Sequence, residues 1–289
     1  MGKVKLLFII LLFQSCMGSD EIETPSSIAP KSSSSVTSST VFGKWDSSLL
    51  PNETKISSSF TSDEVTAIEQ AMDDWSTAVN DKLTFFKIPT LITDNKEYTK
   101  LDDFNDSEMG IYKSSKWYSE IGPYALAITQ YWGVKMNSDT TQEYIDIVHA
   151  DVIVNYHDHS FSINPIKNEY DLQSVIVHEL GHFIGLSHQA AKASSVMASS
   201  ISARAIRRTI SSLDITTINS NYSLKTTTQA AIVAAQTSDE DIPSDDQPDP
   251  VMVRGIFELR ADGSCGHYTV TDTGELIKST PPKALSHHH

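Results

Sequence analysis

The sequence predicts a domain of the α+β class followed by a small β appendage. One observation is the order of its patterns: a helical stretch, four strand-like stretches, and then two further helical stretches. A second is composition, because 39% of the 289 residues are hydrophobic, which is enough for a buried core. A third is the presence of only two cysteines, which excludes a disulfide-rich scaffold or a cysteine-rich zinc module. Any metal site must therefore use His, Asp or Glu.

The N-terminal segment resembles a bacterial lipoprotein signal. Lys3 and Lys5 precede a short apolar run over residues 6–13, and Cys16 follows it. This resemblance implies that Cys16 is lipidated and becomes the mature N-terminus, whereas a plain secretory signal is the alternative. The Ser- and Thr-rich residues 17–40 predict a flexible stalk. We therefore expect an exported chain that is lipid-anchored at the bacterial cell envelope or cell surface, or else secreted.

The charge balance limits the partners that we expect. Acidic residues outnumber basic ones by 37 to 22, so the formal net charge is −15 and nucleic acid would be repelled. No second long apolar segment follows the signal, which predicts membrane contact through the lipid anchor only. We expect a monomer that acts on protein or peptide substrates.

The first half of the chain predicts one helix and four strands. Apolar residues recur at three- and four-residue spacing over residues 61–80, with Asp63 and Glu64 in the first turn, as in an amphipathic helix. We expect Gly133 to break the third strand. The predicted strands cover residues 83–88, 109–113, 125–132 and 144–156.

The second half predicts two helices, a linker and a hairpin. The second helix is expected from Asp171 to Gly185, and the third begins near Leu213 with Asp214 or Ser212 as its cap. The acidic residues 226–250 predict a linker; their carboxylates could bind Ca²⁺, although a solvated tether is the preferred interpretation. Residues 251–289 alternate apolar and polar positions around Asp262 and Gly263, which predicts a β-hairpin appendage, and the terminal His287 to His289 are excluded from site assignments.

The chemistry is concentrated in residues 178–188, which form the sequence HELGHFIGLSH. On a helix, His178 and His182 project from the same face and can hold one cation. Gly185 allows the chain to leave the helix with a positive φ, so that His188 can supply a third imidazole. Three nitrogen ligands suit Zn²⁺ and leave one position open for water or a carbonyl, which is typical of a catalytic site. Glu179 is then the candidate general base.

The spacing H-E-x-x-H-x-x-G-x-x-H is the signature of the metzincin metallopeptidases, and this sequence resembles that clan. The resemblance implies a zincin catalytic domain over residues 41–225, with a mixed twisted sheet, an active-site helix and a Met-turn at Met197. It also implies that residues 125–132 form an edge strand that binds substrate by strand addition. Residues 150–156 and the segments around Trp75 and Leu213 are similar to the matrixin branch.

Some residues depart from the matrixin pattern. Gln189 replaces the Ser that usually follows the third His. The candidates for a second metal site, His149, His157, Asp158 and His159, lack the family's spacing, and we interpret His157 and His159 as loop residues. Cys265 could cap the zinc from the C-terminal side, but an idle or buried thiol is the preferred interpretation.

Together these features predict a zinc-dependent endopeptidase that cleaves extracellular or cell-surface proteins. The alternative is a catalytically inactive lipoprotein of the same fold that acts in adhesion or binding. A structural zinc module is disfavoured because no fourth protein ligand is evident nearby. Only the stalk separates Cys16 from Val41, so we expect no latency through a folded N-terminal prodomain. The appendage could bind glycans, a partner or the enzyme's own cleft, and its sequence does not choose among these.

Overall fold

The computed structural model describes eight segments of the chain, all of which belong to one compact unit. The predicted signal, stalk and acidic linker lie outside the described residues, as does Cys265. The described segments are residues 41–79, 82–92, 96–138, 143–189, 194–222, 251–264, 266–271 and 273–278.

A mixed sheet of nine strands forms the centre of the described structure. The strands are β1 (Gly43–Trp45), β2 (Lys55–Ser57), β3 (Leu91–Ile92), β4 (Gly110–Ser114), β5 (Ala125–Met136), β6 (Tyr144–Asn155), β9 (Met252–Arg260), β10 (Gly266–Val270) and β11 (Leu276–Lys278). Their order is β11-β10-β9-β5-β6-β4-β2-β3, and β1 pairs with a different part of the β6 edge that β4 also uses. The pairs that involve β1, β2, β3 and β4 are parallel, whereas β5, β6, β9, β10 and β11 pair antiparallel with one another along the order. A separate parallel pair consists of β7 (Phe161–Ser162) and β8 (Tyr170–Asp171).

All three predicted helices are present. Helix α1 (Ser62–Ala78) begins at a capping box formed by Thr61 and Glu64. Helix α2 (Leu172–Phe183) begins after Asp171, whose side chain accepts a hydrogen bond from the Ser174 N–H. Residues 212–222 form α3. Its cap is Ser211 rather than Ser212 or Asp214: Ser211 Oγ accepts from the Asp214 N–H, and Asp214 accepts from the Ser211 N–H.

Two apolar clusters flank the sheet. Val152 and Val154 belong to the cluster that contains α1 and α2, whereas Ile153 belongs to the second. Since successive residues of a strand point to opposite faces, the two clusters cover the two faces of β6. Trp75 joins the helices, because its indole N–H donates to the Val177 carbonyl at 2.8 Å. Helix α2 is therefore buried between α1 and the sheet.

Two strand predictions need correction. Residues 83–88 do not form a ladder; Phe86 makes only an isolated bridge to Asn52, and Phe85 and Phe86 are both buried. Two adjacent buried rings do not fit the alternation of a half-buried strand, so the segment packs by its side chains instead. Gly133 does not end β5, which continues to Met136 with a register shift between Trp132 and Gly133.

The C-terminal segment contains the predicted hairpin, formed by β9 and β10. The hairpin is part of the domain itself, because β9 pairs antiparallel with β5 and extends the main sheet. The prediction that residues 125–132 form a free edge strand is therefore wrong: the strand is present, but β9 occupies its edge. Within the described residues, no helix has both the length and the apolar character needed to cross a bilayer.

Candidate metal centre

Helix α2 carries the central motif and is held at both ends. Asp171 caps its first turn and also pairs with the Arg208 guanidinium, whose Nε lies 2.9 Å from Asp171 Oδ1. At the other end, Gly185 has φ +101°, a conformation that favours glycine. A Cβ at Gly185 would lie 2.0 Å from the Gly43 carbonyl oxygen, so the close passage of the N-terminal strand also requires glycine there. The chain can then turn back towards α2.

The turn brings His188 beside the two helical histidines. Nitrogen atoms of His178, His182 and His188 all lie within 4.8 Å of one another. The Nε2 atoms of His178 and His182 are 3.0 Å apart. The imidazole of His182 is fully buried and that of His178 nearly so, whereas His188 is partly exposed.

Backbone carbonyls orient two of the imidazoles. His178 Nδ1 lies 2.7 Å from the Val196 carbonyl oxygen, and His182 Nδ1 lies 2.7 Å from the Leu186 carbonyl oxygen. Because a carbonyl can only accept, each Nδ1 carries the hydrogen and each Nε2 presents a lone pair to the centre. Burial lowers the pKa of His178 to about 4 and also lowers the pKa of His182 and His188, so all three rings are in the neutral form that ligates metals.

Glu179 follows the first histidine and is fully buried. Thr129 Oγ1, on β5, lies 2.6 Å from Glu179 Oε2 and 2.9 Å from the Glu179 carbonyl oxygen. Burial raises the pKa of Glu179 to about 8, although the hydrogen bonds from Thr129 and from the backbone of Leu259 oppose the shift. Glu179 Oε1 has no hydrogen-bond partner among the described residues, so it can take part in proton transfer.

Met197 packs directly against helix α2. A Cβ on Gly181 would come within 2.2 Å of the Met197 sulfur, so the methionine packs against the backbone between the two helical histidines. Asp214 holds this turn, because its carboxylate accepts from Ser195 Oγ at 2.6 Å and from the Val196 N–H at 3.2 Å. The carbonyl of Val196 is the group that orients His178. By holding the turn, Asp214 therefore also fixes the orientation of the His178 imidazole.

The three imidazoles fit a zinc ion. Two nitrogens bound to one tetrahedral Zn²⁺ at about 2.0–2.1 Å lie roughly 3.3 Å apart. The 3.0 Å separation of the two Nε2 atoms is close to this value, and the contact between their lone pairs is repulsive unless a cation lies between them. Neutral nitrogen donors with their second nitrogens hydrogen-bonded are also the donor set that zinc prefers.

The other histidines considered for a second metal do not converge. His149 Nε2 lies 2.9 Å from Asp151 Oδ2, and His159 Nε2 lies 2.8 Å from the Pro123 carbonyl oxygen. His157 Nδ1 lies 2.8 Å from Oδ1 of its neighbour Asp158. Among the described residues, the one cluster suited to a metal is the group of His178, His182 and His188.

Sequence reasoning missed three residues of the centre. A polar Thr129 inside an apolar strand was a usable signal, because a buried hydroxyl requires a partner. Asp214 was assigned only as a helix cap, and its contact with the Met197 turn could not be deduced from spacing. Phe257 stacks on His182 with ring centroids 4.2 Å apart, a contact between segments that are distant in sequence.

Comparison with known proteins agrees with this geometry. The family model of the matrixins (Peptidase_M10) matches residues 48–223. Among solved structures, a similar one is high choriolytic enzyme 1, a hatching enzyme zinc-protease from the medaka fish Oryzias latipes, at 17% identity and a TM-score of 0.31, covering 68% of this chain and 99% of that one. No curated protein matches the chain. The family match spans more than half of the chain and includes the histidine cluster, so the chain belongs to the matrixin family, whose kind of function is that of a zinc metallopeptidase.

Proposed function

We propose that this chain is a zinc-dependent endopeptidase in which His178, His182 and His188 hold the metal and Glu179 is the general base. The observation that carries the proposal is the convergence of the three imidazole nitrogens within 4.8 Å, next to a buried carboxylate. Three protein ligands leave a coordination position open, as catalytic rather than structural zinc sites do. The substrates proposed are peptide bonds of extracellular or cell-surface proteins.

Each residue has a distinct part in the proposed mechanism. A bound Zn²⁺ would polarise the peptide carbonyl and acidify an attacking water. Glu179 Oε1 accepts the proton of that water and returns it to the leaving amine, while Thr129 holds Oε2 in place. The Val196 and Leu186 carbonyls keep the His178 and His182 rings in the tautomer that exposes Nε2. A nearby dication would also favour the ionised form of Glu179, against the effect of burial.

Two substitutions separate metal binding from proton transfer. Glu179→Ala should keep zinc bound and lose nearly all hydrolysis of casein, because only the base is removed. His182→Ala should lose the metal as well as the activity. Bound zinc is measured by elemental analysis and hydrolysis by casein zymography with a chelator control.

A matched control is His157→Ala, which removes an exposed histidine outside the cluster and should change neither measurement. Hydrolysis at the native rate by the Glu179→Ala variant would exclude Glu179 as the base. Zinc binding without any hydrolysis, both by the native chain and by a Gly255→Val variant in which β9 has left β5, would instead favour the inactive binding lipoprotein.

We also propose that the chain is exported and anchored through a lipid on Cys16. The support is the sequence alone: the basic residues, the short apolar run and the cysteine. Detergent phase partitioning of the expressed full chain tests this proposal. The native protein should enter the detergent phase and the Cys16→Ser variant the aqueous phase, whereas an aqueous native protein would indicate simple secretion.

A further inference from the structure

The C-terminal strand β9 occupies the position that an extended substrate would need. It pairs with β5 from Ala125 opposite Arg260 to Val134 opposite Met252. Without β9, the N–H and C=O groups on this side of β5 would be available for strand addition by a peptide. With β9 in place, these backbone groups already have partners.

The end of β9 also contacts the segment that follows the Met197 turn. The Arg260 N–H donates to the Ser199 carbonyl at 3.2 Å, and Arg260 forms a parallel bridge with Ser200. The next residue, Ala261, donates to the Tyr124 carbonyl at 2.9 Å, just before β5 begins. The end of β9 is thus held from two sides, by the start of β5 and by residues 199–200.

Phe257 places β9 in direct contact with two of the three clustered histidines. It lies opposite Thr129, the residue that contacts Glu179. Its ring stacks on His182 at 4.2 Å with an interplanar angle of 10°, and it meets the edge of His188 at 5.7 Å. On its other face, the ring stacks on His267 of β10 at 4.0 Å. A substrate carbonyl cannot approach His182 from this side unless the Phe257 ring moves.

The interactions that hold β9 are extensive and complementary. Phe257 and Leu259 are almost fully buried in the cluster shared with α2. The Glu258 carboxylate is buried and pairs with Arg260 at 2.7 Å. Gly255 leaves room for the Tyr131 ring, since a Cβ there would lie 2.3 Å from the Tyr131 hydroxyl oxygen. Buried side chains, an ion pair and a close backbone approach therefore all hold β9 against β5.

From these contacts we infer that residues 251–278 are an intramolecular inhibitor, which keeps the enzyme latent until β9 leaves β5. This inference rests on the proposed function. The sequence left three binding targets open for the appendage: glycans, a partner or the enzyme's own cleft. The inference selects the cleft. It also supplies a latency device at the C-terminal side of the domain.

The inference is tested with Gly255→Val in the full chain. Valine suits a strand backbone, but its side chain would collide with the Tyr131 ring, so β9 should leave β5. In the presence of a chelator, amide hydrogen exchange over residues 125–134 should become at least tenfold faster than in the native protein. Trypsin should also cut at Arg254 and Arg260, which the native fold protects.

The activity measurement follows with zinc restored. Dye-quenched casein should be hydrolysed at least tenfold faster by Gly255→Val than by the native chain. The matched control is Met252→Val, an exposed position on the same strand, which should leave exchange, trypsin cleavage and hydrolysis unchanged.

The outcomes distinguish the inference from the proposed function. Equal casein hydrolysis by the native chain and by a Gly255→Val protein with exposed β5 amides would overturn the inference. If neither hydrolyses casein although both bind zinc and β5 is exposed, the endopeptidase assignment itself fails. Should Gly255→Val not fold or leave β5 protected, Phe257→Ala decides the matter: removal of the ring from His182 must raise hydrolysis, and an unchanged rate overturns the inference.

Discussion

At the scale of single residues, neighbouring hydrogen-bonding groups fix the orientation of the proposed metal ligands and of the proposed base. His178 and His182 present Nε2 because the Val196 and Leu186 carbonyls take their Nδ1 hydrogens. Glu179 keeps its carboxylate in one orientation because Thr129 donates to it. Such supporting hydrogen bonds commonly contribute factors of ten to one hundred to affinity or activity.

Thr129 is therefore predicted to be a positioning residue. Thr129→Val preserves the shape of the side chain but removes the hydroxyl, so kcat should fall about 10- to 100-fold while bound zinc is unchanged. Steady-state kinetics and elemental analysis check this expectation, and Thr129→Ser should restore the native kcat. A native kcat in the valine variant would contradict the assigned role.

Gly185 is predicted to be required for stability. Gly185→Ala forces an alanine into φ +101° and places its Cβ against the Gly43 carbonyl. The strained backbone alone costs about 1–3 kcal/mol, and the collision adds to this cost. The urea midpoint should drop more than in Gly263→Ala, a control with φ +80° and open space around the Cβ. Equal urea midpoints would show that the approach of the Gly43 carbonyl to residue 185 does not affect the free energy of unfolding.

At the scale of elements, hydrogen bonds join the start of α1 to β4 and to the end of β6. Glu64 closes the capping box with Thr61 and also accepts from the Tyr156 hydroxyl at 2.7 Å and from Lys113 Nζ at 2.9 Å. Lys113 belongs to β4, and Tyr156 directly follows β6. This one carboxylate thus joins the helix to the parallel part of the sheet.

The charge of Glu64 predicts a pH-dependent stability. Burial raises its pKa, but the hydrogen bonds from Thr61, Tyr156 and Lys113 outweigh this effect and hold the pKa below the ordinary value of 4.5. Because the folded pKa is depressed, the stabilisation is present above the unfolded pKa and is lost as the pH falls through the folded pKa. Glu64→Gln should destabilise the protein by about 1.5 kcal/mol at pH 7 and by less at pH 3, as measured by urea denaturation. An equal loss of stability at pH 7 and at pH 3 would show that the charge of Glu64 does not contribute to stability.

At the scale of the whole molecule, the metal centre links three parts of the described chain. Helix α2 supplies His178, Glu179 and His182, the turn after it supplies His188, and β9 covers the cluster with Phe257. A ligand that binds only the folded arrangement of these parts stabilises the whole domain.

Zinc is accordingly predicted to raise the melting temperature. At a free concentration near 100 times the Kd, the gain in free energy of unfolding is about 2.7 kcal/mol. Calorimetry of the native chain with zinc and with a chelator measures this gain. The His182→Ala variant should show no difference between the two conditions, and a native-like response from it would exclude the three-histidine site.

The sequence by itself determined the local features. Spacing identified helix α2, the positive φ at Gly185 and the face shared by His178 and His182, since helical geometry is set by neighbours within a few residues. The alternation of apolar residues also identified β4, β5 and β6. Resemblance to a known family extended this to the zincin catalytic domain and the Met-turn at Met197.

Only the tertiary structure decided which distant segments meet. The pairing of β9 with β5, the contact of Phe257 with His182 and the bond from Thr129 to Glu179 join residues that are separated by 50 positions or more. Pairing between such segments depends on complementary backbone and side-chain surfaces in three dimensions, which periodicity along the chain does not encode. For that reason the family resemblance predicted a free substrate edge at β5, whereas the folded molecule fills that edge with its own C-terminal strand.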